Sequence, residues 1–177
     1  AQALGGGQTL IPTMKQRLAS PAKLVSLTGI ADMQGVSQSG GVLSIGGATT
    51  HAAVSAQAGG FAGLAALAGG IGDPAVRNRG TIGGSLANND PAACYPSAAL
   101  ATGATIVTNT REIAADDFFQ GMFETALEEG EIITAVRMPI PEASNYQKFE
   151  QPASRFALVG VFVAKYVSGV RVAVTGA

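Results

Sequence analysis

Gly83 and Gly84 are followed by Ser85, Asn88, Asn89 and Asp90 within the stretch Gly80 to Pro96. Short hydroxyl and amide groups of this kind exchange hydrogen bonds with phosphate and sugar oxygens. Lacking a Cβ, the two glycines can take φ > 0 and admit another group to their main-chain N–H. Asp90 before Pro91 reads as a helix N-cap with proline at the first helical position. On its own, such a stretch is a tight turn feeding a helix. A second cluster, Gly5-Gly6-Gly7-Gln8-Thr9, stands before another proline-marked helix start at Pro12. Two such loops in one chain point to a single extended, phosphate-bearing ligand held from two sides.

Few other side chains offer chemistry. His51 is the sole imidazole; after Thr49-Thr50 it reads as a surface or capping residue at a helix start. Asp116-Asp117 and Glu128-Glu129 read as solvated acids in turns. Cys94 falls one turn into a helix, where the dipole would lower a thiol pKa, but a packed small hydrophobe is its ordinary role. One Cys and one His cannot build a four-ligand zinc site or a cysteine-held iron–sulfur cluster. An intrachain disulfide is impossible, which fits a reducing cytoplasm. The chain has no Gly-x-x-x-x-Gly-Lys-Ser/Thr, which excludes a P-loop. The absence of a strand-led Gly-x-Gly-x-x-Gly disfavours a Rossmann dehydrogenase. No residue is assigned a catalytic or metal-binding role.

These loops need elements to hold them. The 177 residues carry 47% hydrophobic and 13% charged side chains, enough for a buried core of one domain or two small ones. A net charge of −1 leaves no footprint for nucleic acid. No apolar run reaches about 18 uncharged residues, so no transmembrane helix is expected. Leu10, Met14 and Leu18 share one face of a helix over 10–18, and Lys23–Leu27 is a strand, making one turn of a small α/β unit. Val42–Ile45 is a strand; His51–Ala58, Phe61–Leu67 and Ala92–Ala101 are helices. Strands follow at 104–108, 112–113, 131–138, 146–149, 157–165 and 170–175, the last two joined by a hairpin at Val167-Ser168-Gly169. The segment 139–145 marks a subdomain boundary. With no initial Met and no strand leading into Gly5, an upstream segment is expected.

The two loops, Gly-Gly-Gly-Gln-Thr-Leu-Ile-Pro at 5–12 and Thr-Ile-Gly-Gly-Ser-Leu-Ala-Asn-Asn-Asp-Pro at 81–91, resemble the paired motifs of one known family. It is the FAD-binding medium subunit of molybdenum hydroxylases, the aerobic carbon monoxide dehydrogenase and xanthine dehydrogenase family. The similarity continues through Arg79-Gly80, Phe118–Gly121, Leu127–Pro139 and Arg155-Phe156-Ala157. It covers essentially the whole chain. Either loop alone is weakly specific; both together with the downstream segments are not.

The resemblance implies an α+β fold of the two-subdomain, vanillyl-alcohol oxidase-like (PCMH) FAD-binding type. Residues 1–27 would belong to a small α/β subdomain, 28–141 to a mixed, mostly antiparallel second subdomain, and 142–177 to the truncated beginning of a C-terminal α+β domain. Gly5, Gly6, Gly7, Gln8 and Thr9 would line the FAD diphosphate from one side, and Thr81, Gly83, Gly84 and Ser85 from the other, largely through main-chain N–H groups. Cys94 falls where relatives carry Asp or Glu against the flavin's polar chain or ribose; Asp90 or Asn89 could substitute. The main chain of Ile133 would touch the isoalloxazine. Lys148 would stabilise negative charge on the reduced ring. Phe156 would stack on one flavin face, its alternative being a plain core aromatic.

The implied function is electron transfer. Iron–sulfur clusters of a small partner subunit would feed FAD, and a large partner subunit with the molybdenum cofactor would oxidise substrate, in a dimer of heterotrimers. NAD, a quinone or oxygen would take the electrons. The expected location is the cytoplasm, with the inner face of its membrane also open. Two alternatives remain at this point: a self-sufficient FAD oxidoreductase of the same fold, and a cofactor-free scaffold subunit.

Overall fold

The computed structural model describes residues 1–177. Strand β1 (Gln2–Leu4) pairs in parallel with β2 (Leu24–Ser26), and helix α1 (Leu10–Lys15) lies in the connection, as parallel pairing requires a crossover. The helix stops short of the expected Leu18. Arg17 takes a left-handed φ of 61°, while Arg17 N–H donates to Met14 O and Leu18 N–H to Thr13 O. That is a Schellman C-cap with arginine where glycine is usual, so composition gave no sign of the stop.

The centre is a five-stranded antiparallel sheet in the order β3-β4-β9-β5-β6 (Val36–Ser39, Val42–Gly46, Ile133–Pro139, Thr105–Thr108, Glu112–Ala114). Leu43 opposes Met138, and Val136 lies between Ile45 and Ile106; all five are buried on one face. Ser44, Arg137 and Thr105 occupy the other face, where Arg137 pairs with Glu112. This alternation is the pattern of an antiparallel sheet with one face on the core.

Helices α2 (His51–Gln57), α3 (Ala62–Gly69), α4 (Pro74–Arg77), α5 (Ile82–Asn88) and α6 (Tyr95–Thr102) follow β4 in sequence. Two expectations change here. The stretch after Gly80 is a helix from Ile82, with Thr81 Oγ1 accepting from Gly84 N–H at 3.2 Å as its cap. The next helix starts at Tyr95, not Ala92, so Asp90 does not cap it; Asp90 Oδ1 instead accepts from Ala92 N–H at 2.9 Å in a local turn.

After α7 (Ala115–Phe118) and the small β7–β8 pair (Phe119–Gly121, Glu124–Thr125), the chain closes the central sheet with β9. A third sheet, β10-β11-β12 (Ala143–Glu150, Ala157–Tyr166, Gly169–Thr175), is antiparallel throughout. Phe162, Ala164 and Ala173 join the core cluster of the central sheet and helices, so the third sheet shares that core. Its opposite face leaves Phe149, Val159, Val172 and Val174 exposed.

Candidate functional site

The first glycine loop is pressed against the segment that leads into α5. A Cβ on Gly5 would come within 2.9 Å of Thr81 Oγ1, and one on Gly6 would overlap the Arg79 carbonyl and lie 2.5 Å from Gly80 Cα. Only bare main chain can approach this closely. Gly7 has a φ of 74°, a conformation that side chains disfavour. The main-chain N–H groups of Gly5, Gly6, Gly7, Gln8 and Thr9 donate no hydrogen bond within the protein. All five residues line a cavity of about 590 Å³, well within the range of cofactor pockets.

The second loop contributes differently from the expectation. Gly83 and Gly84 are helical, not left-handed. Their N–H groups are already used: Ile82 donates to Thr49 O, Gly83 to Gly47 O, Gly84 to Thr81 Oγ1 and Ser85 to Thr81 O. Gly83 is glycine because a Cβ there would lie 2.6 Å from Gly47 O, so it packs the helix onto the end of β4 and does not line the cavity. Gly80, Thr81, Gly84 and Ser85 do line it. They supply close-approach surface and two hydroxyls, while the first loop supplies the free N–H donors.

Three more expected residues reach the same cavity: Asp90, Cys94 and Phe156. Cys94 is 5% exposed, and burial pushes its thiol pKa up. The Tyr146 hydroxyl lies beside it, sealed from solvent, with the thiol as its weak partner and no conventional hydrogen bond. Phe156 is 51% exposed on the cavity, which removes the core-aromatic reading.

An open cavity with five unspent N–H donors on one wall suits a ligand rich in acceptor oxygens. Residues 1–141 match a protein family described as the FAD binding domain in molybdopterin dehydrogenase. The chain belongs to this family. It is 37% identical to the carbon monoxide dehydrogenase medium chain of Afipia carboxidovorans, across 96% of this chain and 62% of that one. It is 35% identical to the nicotine 6-hydroxylase medium subunit of Paenarthrobacter nicotinovorans, across 98% and 66%. Among solved structures, a Cu,Mo-CO dehydrogenase superposes with a TM-score of 0.91 at 34% identity, and quinoline 2-oxidoreductase from Pseudomonas putida 86 with 0.90 at 32%. Both alignments cover 98% of this chain and 66% of the other. The expected FAD-binding α+β fold is therefore the one observed. The chain spans just under two thirds of the length of these relatives.

Three further expected ligands lie off the cavity. Asn89 is the left-handed C-cap of α5, and its amide donates to Gly121 O at 2.7 Å and Glu124 O at 2.9 Å, holding β7–β8 in place. Ile133 is buried at the start of β9, and its carbonyl fills the space a Cβ on Gly47 would take. Lys148 Nζ donates to Gly70 O at 2.7 Å and Arg155 O at 2.8 Å. Its ammonium thereby ties the segment carrying Phe156 to the end of α3.

One wall residue departs from the expectation. His51, expected at the surface, is 5% exposed and lines the cavity. Burial, then the nearby Arg77 guanidinium, lowers its pKa to about 4, so the imidazole is neutral at pH 7. Arg77 Nη1 also donates to Ile71 O and Gly72 O, fixing the adjoining wall. Helix-start position alone could not reveal this, because burial of His51 is imposed by Gly80 and Tyr95 from distant segments.

Proposed function

We propose that this chain is the flavin-carrying, electron-transferring subunit of a heteromeric molybdenum hydroxylase. The observation that carries the reading is the row of five N–H groups without a protein acceptor, on residues Gly5 to Thr9 that line a cavity shared with Gly80, Thr81, Gly84 and Ser85. Such a row suits the diphosphate of FAD. Thr81 and Ser85 hydroxyls would add hydrogen bonds, and Phe156 offers a half-exposed ring for one flavin face. Cys94 lies where a carboxylate is expected, and Asp90 is the cavity-lining acid that could take its contact.

Bound FAD would supply two-electron carriage between one-electron donors and a two-electron acceptor. This chain's residues would bind and orient it, and no side chain need act as acid or base. An iron–sulfur small subunit and a molybdenum-cofactor large subunit would be the partners, arranged as a dimer of heterotrimers, with NAD, a quinone or oxygen as acceptor. The medium-subunit names of the relatives support a multi-subunit assembly. No helix is long and apolar enough to cross a membrane, and the lone free cysteine suits the cytoplasm.

We further propose the division 1–27, 28–141 and 142–177. Each of the three main sheets falls within one segment, which supports it. The test is FAD titration of the intact protein followed by absorbance and by size measurement with the candidate partners. One FAD per chain, retained in a complex that contains iron–sulfur and molybdenum subunits, is expected. A chain that refuses FAD favours a scaffold. A lone, fully active flavoprotein would overturn the subunit assignment.

A further inference from the structure

His51 is the cavity-wall group that this assignment leaves without a task. Its backbone is fixed, with N–H donating to Gly80 O at 2.9 Å and Thr50 Oγ1 capping its helix. Its ring packs against Tyr95 with centroids 5.3 Å apart and planes at 50°. Nδ1 is sealed from solvent with no hydrogen-bond partner. A buried polar group in that state weakens a fold, so packing gives no reason for an imidazole where leucine would fill similar space. The other edge, Nε2 and Cδ2, lies over Gly80, where a Cβ would come within 2.5 and 2.9 Å. Gly80 lines the cavity and touches Gly6, so the missing side chain leaves this edge open toward the ligand.

We propose that His51 is a cofactor ligand whose Nε2 hydrogen-bonds the edge of the flavin's isoalloxazine ring. The inference rests on the FAD reading above. The diphosphate is an acceptor only, and the Gly5–Thr9 N–H groups already match it. Gly80 and Arg77 link His51 to the cavity-lining Ile71, Gly72 and Val76, an apolar stretch that suits a ring system and not a dianion. A neutral imidazole offers one donor and one acceptor. The isoalloxazine edge presents carbonyl and ring-nitrogen acceptors together with an N–H donor, so the two are complementary in either tautomer.

The experiment titrates FAD and, separately, ADP into the intact protein as wild type, His51→Leu and His51→Gln. ADP carries the diphosphate without the flavin ring. His51→Leu is expected to keep or raise the melting temperature of the apoprotein, bind ADP as wild type does, and bind FAD at least tenfold more weakly with a shifted flavin absorption band. His51→Gln, which retains a donor and an acceptor, is expected to recover most of the affinity. If His51→Leu does not fold, His51→Phe serves, since it keeps a ring against Tyr95 and removes both nitrogens; the same FAD-selective loss is expected. Unchanged FAD affinity, or equal loss of FAD and ADP, overturns the proposal. Wild type that binds ADP but not FAD, or neither, overturns the cofactor reading itself and this inference with it.

Discussion

Gly6 and Arg79 are in main-chain contact across 73 positions of sequence, so close that a Cβ on the glycine would overlap the arginine carbonyl. This contact holds the free N–H groups of the first loop against the cavity wall. Gly6→Ala must push the loops apart, because backbone on both sides cannot yield as a flexible side chain would. FAD affinity is expected to fall about a hundredfold, roughly 3 kcal/mol. The far side of the contact belongs to the cavity rim and not to the central sheet, so the melting temperature should fall by only a few degrees. Fluorescence titration of FAD checks this, and wild-type affinity in the variant would remove the docking argument.

The adjacent glycines of the second loop should separate by phenotype. Gly83→Ala places a Cβ against Gly47 O and is expected to destabilise the fold by about 1–3 kcal/mol, as overpacking does. Gly84→Val adds bulk on the cavity side, where only Thr81 Oγ1 at 3.0 Å stands in the way. It should weaken FAD binding severely with a smaller stability change. Denaturant melts paired with FAD titrations decide; the reverse pattern would mean the helix faces the other way.

Much of this was legible in sequence because it rests on local or periodic patterns. The strands at 42–45, 104–108 and 157–165 alternate or run apolar between turn residues, and all are present. The two glycine loops announced a shared ligand, and they do meet. What stayed hidden was decided by partners far away. Gly83 reads as a φ > 0 residue until Gly47 is seen beneath it. Nothing in the sequence shows that Gly70 and Arg155 accept from Lys148, or that Gly121 and Glu124 accept from Asn89. His51 reads as a surface residue until Tyr95 covers it.

Glu131 anchors the turn between β5 and β6. Its carboxylate accepts from Thr108 Oγ1 at 2.7 Å, Thr110 Oγ1 at 2.8 Å, Arg111 Nε at 3.0 Å and Glu128 N–H at 2.8 Å. The Arg111 hydrogen bond, first among these, holds its pKa far below the usual carboxylate range. Glu131→Ala leaves several donors without an acceptor and is expected to cost about 2–4 kcal/mol. Glu131→Gln should cost less. Equal stability of wild type and the alanine variant in urea would contradict the network.

His51 sets a pH dependence of stability whose sign is fixed. Its folded pKa, about 4, lies below the ordinary 6.5, so between those values the unfolded chain binds a proton that the folded chain refuses. The contribution is whole above pH 6.5 and is lost as pH falls toward 4, reaching roughly 3 kcal/mol there. Between pH 7 and 5 wild type should lose about 2 kcal/mol more than His51→Gln. Parallel stability profiles for the two proteins would show that the imidazole is not buried neutral.

Cys94 and Tyr146 offer the sharpest test of whether the cavity wall lacks a carboxylate. The tyrosine hydroxyl is sealed beside the thiol, which is only a weak acceptor for it. A carboxylate in its place would accept from that hydroxyl and keep a second oxygen for the cavity, where a ribose or ribityl hydroxyl could donate to it. Cys94→Asp is therefore expected to tighten FAD binding several-fold in spite of burying a charge, because the waiting donor offsets part of the desolvation. Tyr146→Phe alone should change little, since it gives up only a weak contact with the thiol. Added to Cys94→Asp, it should cancel most of the gain, a coupling of about 1 kcal/mol or more. FAD titrations of the four proteins in this cycle measure it, and an aspartate variant that binds no better than wild type would show that the thiol already does what the cavity needs.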